Sequence, residues 1–598
     1  LKSLMMLWRK LAEESASRCC TCATMDVKTV HRRCKHEGLS FLTITLPDYG
    51  KAIETWLDCG QVVRSSVTSF KWRAGLPVML QGFLERVFDR SSGVLLDEPD
   101  IDAILALRQL TLMFGKIALE CSDARVERAI SGYIKCEQDV RNADNNMKEA
   151  DLADFMRVSS LLFSAVFTRV DRDVYYGDVL PKHGPGATAD RLRGNAKWNQ
   201  RTWTSRLEKV FPSGEFLLPN WRYYDQLDEI DILDPGAEIP AKVITVPKTL
   251  KTPRIIAMEP SAMQYAQQAV LERLLDSLGR DDFLSTVIGF DDQTPNQRMA
   301  REGSLKGELA TLDLSEASDR VSNQHVRAML RNHPHLHEAV DASRSRKADV
   351  QGKTVRLAKF ASMGSALCFP MEAMVFTTLI FLGIERELGT PLDRRTLHEF
   401  RDKVRVYGDD IIVPVDYVHS VVRVLQAFGS VVNSGKSFWS GRFRESCGKE
   451  YYAGEDVSIV RVRHKFPTHR RDATGVIGIV SLRNQLYRAG YWSTCQWLDS
   501  YIKDVIRHFP VVLESSPVLG RHSFLGFQSK RTGADLHNPL VKGYVISSRI
   551  PSDPLEGPGA LLKFFLKRGN QPSFDERHLE RSGRPHAVNI KLRWASAV

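Results

Sequence analysis

Val404-Arg405-Val406-Tyr407-Gly408-Asp409-Asp410-Ile411-Ile412-Val413-Pro414 sets two adjacent carboxylates inside an otherwise apolar, strand-like run. Val404, Val406, Ile411, Ile412 and Val413 are β-branched and suit a pleated, buried surface. Gly408 permits a tight turn, so Tyr407 to Asp410 reads as the tip of a β-hairpin. Two ionised carboxylates in such surroundings are costly unless a cation neutralises them. Carboxylate donors favour Mg²⁺, with Mn²⁺ as a substitute, which points to metal-assisted phosphoryl transfer. The plainer reading is a solvated loop end, because Asp and Gly favour turns anyway. A second acidic motif upstream shifts the balance.

Residues 308–322 read ELATLDLSEASDRVS. Leu309 to Leu312 suit a short strand with Asp313 at its end. Ser318 and Asp319 are good helix starters ahead of Val321, Val326, Met329 and Leu330. If this strand pairs with the hairpin, Asp313, Asp409 and Asp410 converge, as two-metal nucleotidyl transfer requires. Taken alone, Asp313 reads better as a helix cap.

Three further segments flank these acids. In ASMGSALCFPMEAMVFTTLIF, residues 361–381, Ser362 and Gly364 form a flexible hydrogen-bonding loop, and Pro370 fits the first turn of the following helix. Such a loop can close over a nucleotide; its alternative is a plain helix start. In KVITVPKTLKTPRIIAMEP, residues 242–260, two strand-like runs flank a turn carrying Lys248, Lys251 and Arg254. Clustered cations on a hairpin suit a triphosphate, although a solvated charged hairpin has the same pattern. An amphipathic helix follows, with a capping box from Ser261 to Gln264 and Gly279 at its end. In NSGKSFWSGRFRESCGKEYYAG, residues 433–454, Lys436 is a candidate general acid for a departing pyrophosphate, or else a surface lysine. Cys447 and Gly448 read as packing residues.

At 598 residues the chain has room for two or three subdomains, and its formal charge of +11 suits a polyanionic partner such as nucleic acid. No segment reads as a membrane span; the nearest, Ala366 to Ile384, is interrupted by Pro370 and Glu372 and reads as a buried core helix. The start, LKSLMMLWRKLAEE, is too short in its apolar stretch for a secretory signal and reads as amphipathic. Most of the ten cysteines read as reduced thiols. Cys19, Cys20, Cys22, His31, Cys34 and His36 are zinc-type residues, but their spacing matches no usual knuckle, so no metal is assigned to them. Helical patterns run over 101–117 and 151–168, broken by a Gly/Pro loop at 181–186. The expected division is a helical N-terminal region, 1–240; a mixed central region, 241–450, that holds nearly all the chemical signals and has its core at about 299–442; and a mostly helical C-terminal region, 451–598, with a basic tail carrying Arg581, Arg584, Lys591 and Arg593.

The motif order resembles the palm order of RNA-dependent RNA polymerases: basic hairpin, Asp-x₅-Asp, Ser/Gly loop with helix, YGDD, then a lysine turn. More narrowly, the chain is similar to the replicase beta subunits of the single-stranded RNA bacteriophages, the levivirus group typified by Qβ. DLSEASD, SMGS…FPMEAMVF, YGDD, GRFRESCGKEYY, KHGPGAT, HEGLSFLTITLP and DAILALRQLTLMFGK carry the likeness along most of the chain. The resemblance implies an α+β right-hand fold, with fingers in 1–240, an antiparallel-sheet palm with interleaved fingers in 241–450 and a mostly helical thumb in 451–598, and primer-independent copying of a positive-strand phage RNA in the cytoplasm of the infected bacterium. It implies metal binding by Asp313, Asp409 and Asp410, 2′-hydroxyl sensing by Asp319, and triphosphate contacts from Lys248 and Arg254. It further implies partnership with host translation elongation factors Tu and Ts and an RNA-binding ribosomal protein. One departure is Ser365-Ala366, where many relatives carry Asn-Gly.

A reverse transcriptase is the nearest alternative. It usually needs a bulky aromatic where this chain has Asp319, whose carboxylate can accept from a ribose hydroxyl. A non-catalytic RNA-binding protein would explain the charge but not the acids, which repel a phosphate backbone unless metal intervenes.

Overall fold

Ile411, Ile412 and Val413 are continuously apolar because both faces of their strand are covered. The computed structural model describes residues 1–549, 553–567 and 587–598. In it the strand Asp410–Pro414 lies between Arg405–Tyr407 and Leu309–Leu312, antiparallel to both. Side chains alternate across this sheet. Ile411 and Val413 join a large core with the helices Cys368–Leu388 and Val418–Ala427, whereas Ile412 packs with Met299, Ala300, Leu309 and Tyr451 on the opposite face.

The helix Cys368–Leu388 is apolar nearly all round and is buried along most of its length. Pro370 sits in its first turn, and Gly389 ends it in the left-handed region at φ 68°. It is long and apolar enough to cross a membrane, but 94% of its most apolar window is buried within the protein. It is therefore the core helix expected at 366–384. A second, four-stranded sheet runs in the order Lys353–Arg356, Lys347–Val350, Ala241–Val246, Arg254–Met258. The last two strands form the basic hairpin read from the sequence.

Two large cores dominate, and each is discontinuous in sequence. One gathers residues from Phe155 to Phe428 together with Leu562. The other joins the amphipathic first helix, Lys2–Arg18, and residues up to Leu119 with residues from Phe438 to Tyr544. Within the second core Arg108, fully buried, ties its two parts together by bridging Glu54 at 2.8 Å and Glu450 at 3.2 Å. Neither core coincides with the intervals 1–240, 241–450 and 451–598.

Several local expectations change. The capping box at Ser261 does not form: Pro260 occupies the cap position of Ser261–Gly279, and Asp190 Oδ2 accepts from the Ser261 backbone N–H at 2.9 Å. The helix after Asp313 is split, with Ser318 and Asp319 inside the single turn Ala317–Arg320. Ser322 then caps Asn323–Met329 by accepting from Gln324 N–H. The 101–117 pattern is helical over Ile101–Leu112, and the 151–168 pattern extends to Glu149–Tyr175. Residues beyond 455 are not uniformly helical: Ala473–Arg488 and Trp492–Ile506 are helices, but Pro539–Arg549 pairs antiparallel with Ala587–Ser596. Lys591 and Arg593 lie on that last strand, while Arg581 and Arg584 fall outside the described residues.

Candidate active site

Tyr407 pairs with Asp410, leaving Gly408 and Asp409 as a two-residue hairpin loop. Gly408 has φ 62°, and a Cβ there would come within 2.3 Å of the Phe369 ring. Glycine is needed both for the turn and for this close approach. Phe369, on the Cys368–Leu388 helix, also meets Tyr407 with ring centroids 5.6 Å apart. The helix start thereby props the hairpin tip.

Ile411 pairs with Leu312, so Asp410 and Asp313 stand one step beyond the ladder at the same end of the sheet. Asp410 shares the face of Ile412, and there the Cys447 backbone and thiol act to lower its pKa. Burial, then the charge of Asp409, pushes the Asp410 carboxyl up to about 6. Burial and Asp313 raise Asp409 as well, while Lys436 and Lys248 act in the opposite direction. Asp313 is held by Lys436 Nζ at 3.1 Å and Asn433 Nδ2 at 2.8 Å. The three acids share one sheet end without an equal setting: Asp313 and Asp409 face the lysines, Asp410 faces Cys447.

The donor set consists of carboxylate oxygens, which suits Mg²⁺ better than zinc or copper. No group of three or more His, Cys, Asp or Glu among the described residues stands ready to hold a metal ion. Mg²⁺ needs no such cage, since one or two carboxylates with water and substrate phosphates usually hold it. Lys436 neutralises Asp313 in this arrangement, so an incoming cation has to share or displace it. The Cys/His group near the N-terminus is likewise not gathered for metal; Cys19 and Cys34 are packed into the core.

Lys248 lies beside the acids. Burial and the nearby Arg254 and Lys436 lower its pKa, against the pull of Asp409 and Asp313. Lys251 departs from the cluster, because its Nζ is paired with Asp48 at 3.0 Å. Arg254 opens the second hairpin strand, opposite Val246, and is exposed. For Lys436, burial alone would depress the ammonium, but Asp313, Glu445 and Asp409 more than offset it and the pKa is raised.

Asp319 is no helix cap. Its Oδ1 accepts from Lys359 Nζ at 3.1 Å and from Ser362 Oγ at 2.8 Å, and Oδ2 has no hydrogen-bond partner among the described residues. Lys359 is fully buried, lies 3.7 Å from the Tyr133 ring centroid, and stands 3.9 Å from Glu137 Oε2. The Tyr133 hydroxyl meets Ser362 Oγ at 3.0 Å. The Ser/Gly loop expected to be flexible is pinned instead. Met363 O accepts from Ala257 N–H at 2.8 Å, and a Cβ on Gly364, whose φ is 130°, would come within 1.9 Å of Ala257 O. Ser365, the departure from the relatives, donates to Gln267 Oε1 at 3.2 Å.

The roles of Asn433, Lys359 and Glu372 escaped the sequence reading, and Cys447 was read only as packing. Asn433 and Lys359 each contact a singled-out aspartate directly. Glu372 accepts from Ser318 at 2.7 Å, and burial pushes its carboxyl up to about 8. Cys447 adopts φ 48° and Gly448 φ 75° in the loop joining Phe443–Ser446 to Lys449–Tyr452. That left-handed turn brings Cys447 to Asp410, so it does more than pack. The signal for Lys359 was present as a lone charge in Leu357-Ala358-Lys359-Phe360-Ala361.

Residues 237–499 match the family model described as RNA replicase, beta-chain. The RNA-directed RNA polymerase beta chain of Enterobacteria phage fr is 38% identical over 220 residues, covering 36% of each chain. The beta subunit of Escherichia virus Qbeta is 36% identical over 254 residues, 42% of this chain and 38% of that one. That of Enterobacteria phage SP is 30% identical over 326 residues, 54% and 52% respectively. The matches thus span roughly a third to half the length of these relatives. Among solved structures, an insertion-loop deletion mutant of a human picobirnavirus RNA-dependent RNA polymerase aligns at TM-score 0.32 and 14% identity, covering 44% of this chain and 57% of that one. The BmCPV RNA-dependent RNA polymerase at elongation state aligns at 0.36 and 11%, covering 60% and 34%. Over residues 237–499, which hold every candidate site residue from Lys248 to Lys436, the chain is similar to the RNA replicase beta chains of RNA phages.

Proposed function

We propose that the chain is an RNA-directed RNA polymerase that copies a positive-strand phage RNA from nucleoside triphosphates without a primer. The observation that carries this reading is the meeting of Asp313 and Asp409 with Lys248 and Lys436 at one sheet end, inside the stretch that matches replicase beta chains. In this reading the sheet holding Asp313 and Asp410 is the palm, the sheet with the basic hairpin belongs to the fingers, and the helices Ala473–Arg488 and Trp492–Ile506 form the thumb.

Lys248 and Arg254 bind the triphosphate, Arg254 through a planar guanidinium that grips two oxygens at once. The free Oδ2 of Asp319 accepts from the ribose 2′-hydroxyl, while Lys359 and Ser362 hold its Oδ1 in place. Lys436, whose pKa stands above normal, carries the proton needed by the leaving pyrophosphate. Mg²⁺ bound by Asp313 and Asp409, with Asp410 alongside, would neutralise the triphosphate and acidify the attacking hydroxyl. Following the resemblance, the working enzyme includes host elongation factors Tu and Ts and an RNA-binding ribosomal protein, and acts in the cytoplasm of the infected bacterium.

The test is primer-free incorporation of ribo- against deoxyribonucleotides on an RNA template, with and without Mg²⁺, by the chain alone and with those host proteins. Divalent-dependent ribonucleotide incorporation is expected. Preference for deoxyribonucleotides would make it a reverse transcriptase. RNA binding without incorporation in either preparation would make it a binding protein.

A further inference from the structure

Away from the acids, on the far side of the 356–359 segment, a cavity of about 380 Å³ opens between the helices Asp123–Asn145 and Asn323–Met329 and the hairpin Lys347–Arg356. Five arginines line it, Arg141, Arg327, Arg344, Arg346 and Arg356, against two aspartates, Asp144 and Asp341. A second cavity of about 240 Å³ shares Arg327 and Asp341 with it and adds Arg206, Lys209 and His337 against Glu338. Together they form a basic trough rather than an isolated hole.

The arginines divide by what they already hold. Arg344 is buried and donates to the carbonyls of Phe360, Leu357 and Lys359 at 2.6–3.0 Å, so it builds the floor. Arg141 donates to the Arg356 carbonyl, and Arg346 reaches Glu238 at 3.4 Å. The Arg327 and Arg356 side chains have no hydrogen-bond or ion-pair partner among the described residues, and both are exposed. Like charges converging in a concavity repel one another and focus a positive potential there. Two free guanidiniums above a floor of satisfied ones leave unspent bidentate capacity for oxyanions.

We propose that this trough binds the phosphodiester backbone of an RNA strand, through Arg327 and Arg356, at a site separate from the triphosphate contacts at Lys248 and Arg254. The elongated, two-part shape suits successive phosphates better than one ion. The trough's wall at Leu357 and Ala358 leads directly into Lys359, the residue that holds Asp319. RNA seated there therefore touches the chain segment that positions the sugar-sensing carboxylate. The inference rests on the polymerase reading for the identity of its ligand.

The experiment measures binding of a single-stranded RNA oligonucleotide to the full chain across a salt series, comparing wild type with Arg327→Glu/Arg356→Glu. The exposed pair Arg394→Glu/Arg395→Glu serves as an equal-charge control, and the milder Arg327→Gln/Arg356→Gln guards against misfolding, checked by melting temperature. A tenfold or greater fall in affinity is expected, with the salt dependence shallower by about 1.4 in log–log slope, at about 0.7 for each single-strand phosphate no longer neutralised. The control should retain most of its affinity. Saturable tripolyphosphate binding in EDTA is the second arm. If it disappears in the variants while RNA affinity holds, the phosphates come from a free nucleotide. If neither changes, the trough is a solvated surface and the proposal falls. A wild-type chain that polymerises normally alongside unchanged variants overturns this site alone, whereas a wild type that never incorporates nucleotides overturns the polymerase reading.

Discussion

Asp313 and Asp319 lie six residues apart, and each holds a lysine ammonium at 3.1 Å, Lys436 in one case and Lys359 in the other. The pairs differ in what surrounds them. The Lys436 side chain is 41% exposed, whereas that of Lys359 is 0% exposed, sealed under Tyr133 and beside Glu137. A partly exposed ion pair is worth little and can be exchanged, while a buried one cannot lose a partner without stranding a charge. The Asp313 pair is thus the exchangeable one. Asp319 is held still, with one oxygen spoken for and the other free.

The comparison breaks first at the exchangeable end. Asp313→Asn and Asp409→Asn each remove a charged oxygen ligand while nearly keeping shape, and should lower the incorporation rate on the order of a thousandfold or more. RNA affinity on a gel shift should stay near wild type. Near-normal elongation by Asp409→Asn would remove the acids from the chemistry.

At the fixed end, Lys359→Met leaves Glu137 and Asp319 without their buried cation. The expected loss is about 3–5 kcal/mol of stability, read by denaturant titration. The surviving folded fraction should narrow its ribo-over-deoxyribonucleotide preference about tenfold, which a purely structural lysine would not do. Lys359→Arg, keeping the charge, should recover part of that preference.

Glu372 feels both ends, since Asp409 and Asp319 act on it in turn after burial. Its folded pKa of about 8 lies above its ordinary value near 4.5. The folded state therefore binds the proton more tightly, and the contribution of Glu372 to stability is complete below about pH 4.5 and lost as pH rises through 8. Glu372→Gln should melt with wild type near pH 4.5 and above it near pH 9, by a few kcal/mol at most. Equal melting temperatures at both pH values would mean that Glu372 is ionised in the fold.

The smallest effect is expected on the basic hairpin. Lys248→Ala should raise the apparent KM for nucleotides about tenfold, about 1.4 kcal/mol. Lys251→Ala loses only an exposed pair with Asp48 and should leave KM within about twofold. Equal effects from both would return Lys251 to the triphosphate cluster.

Local pattern decided the elements that carry the acids. The β-branched run from Val404 to Val413, broken by Gly408, is a hairpin because strand alternation and turn chemistry are written in adjacent residues. Leu309 to Leu312 and the helix holding Pro370 were legible for the same reason. Caps were less so. Ser261 looked like the start of a capping box, but Asp190, 71 positions away, took the backbone donor. Ser318 and Asp319 looked like helix starters, but Ser322 took that role once Asp319 was drawn to Lys359 and Ser362. The strand pair Pro539–Arg549 and Ala587–Ser596 was missed because its pairing is long-range and its basic residues mask the alternation.

By itself, then, the sequence determined which residue types were available, the hairpin and strand that present Asp313, Asp409 and Asp410, and the excess of positive charge. Which partner each charge obtained followed from long-range packing. Lys251 went to Asp48, Lys436 and Asn433 to Asp313, Cys447 to Asp410 and Lys359 to Asp319. The physical reason is range: backbone preference acts over a few residues, whereas the pairing of a buried charge depends on which distant side chain packing brings within about 3–4 Å.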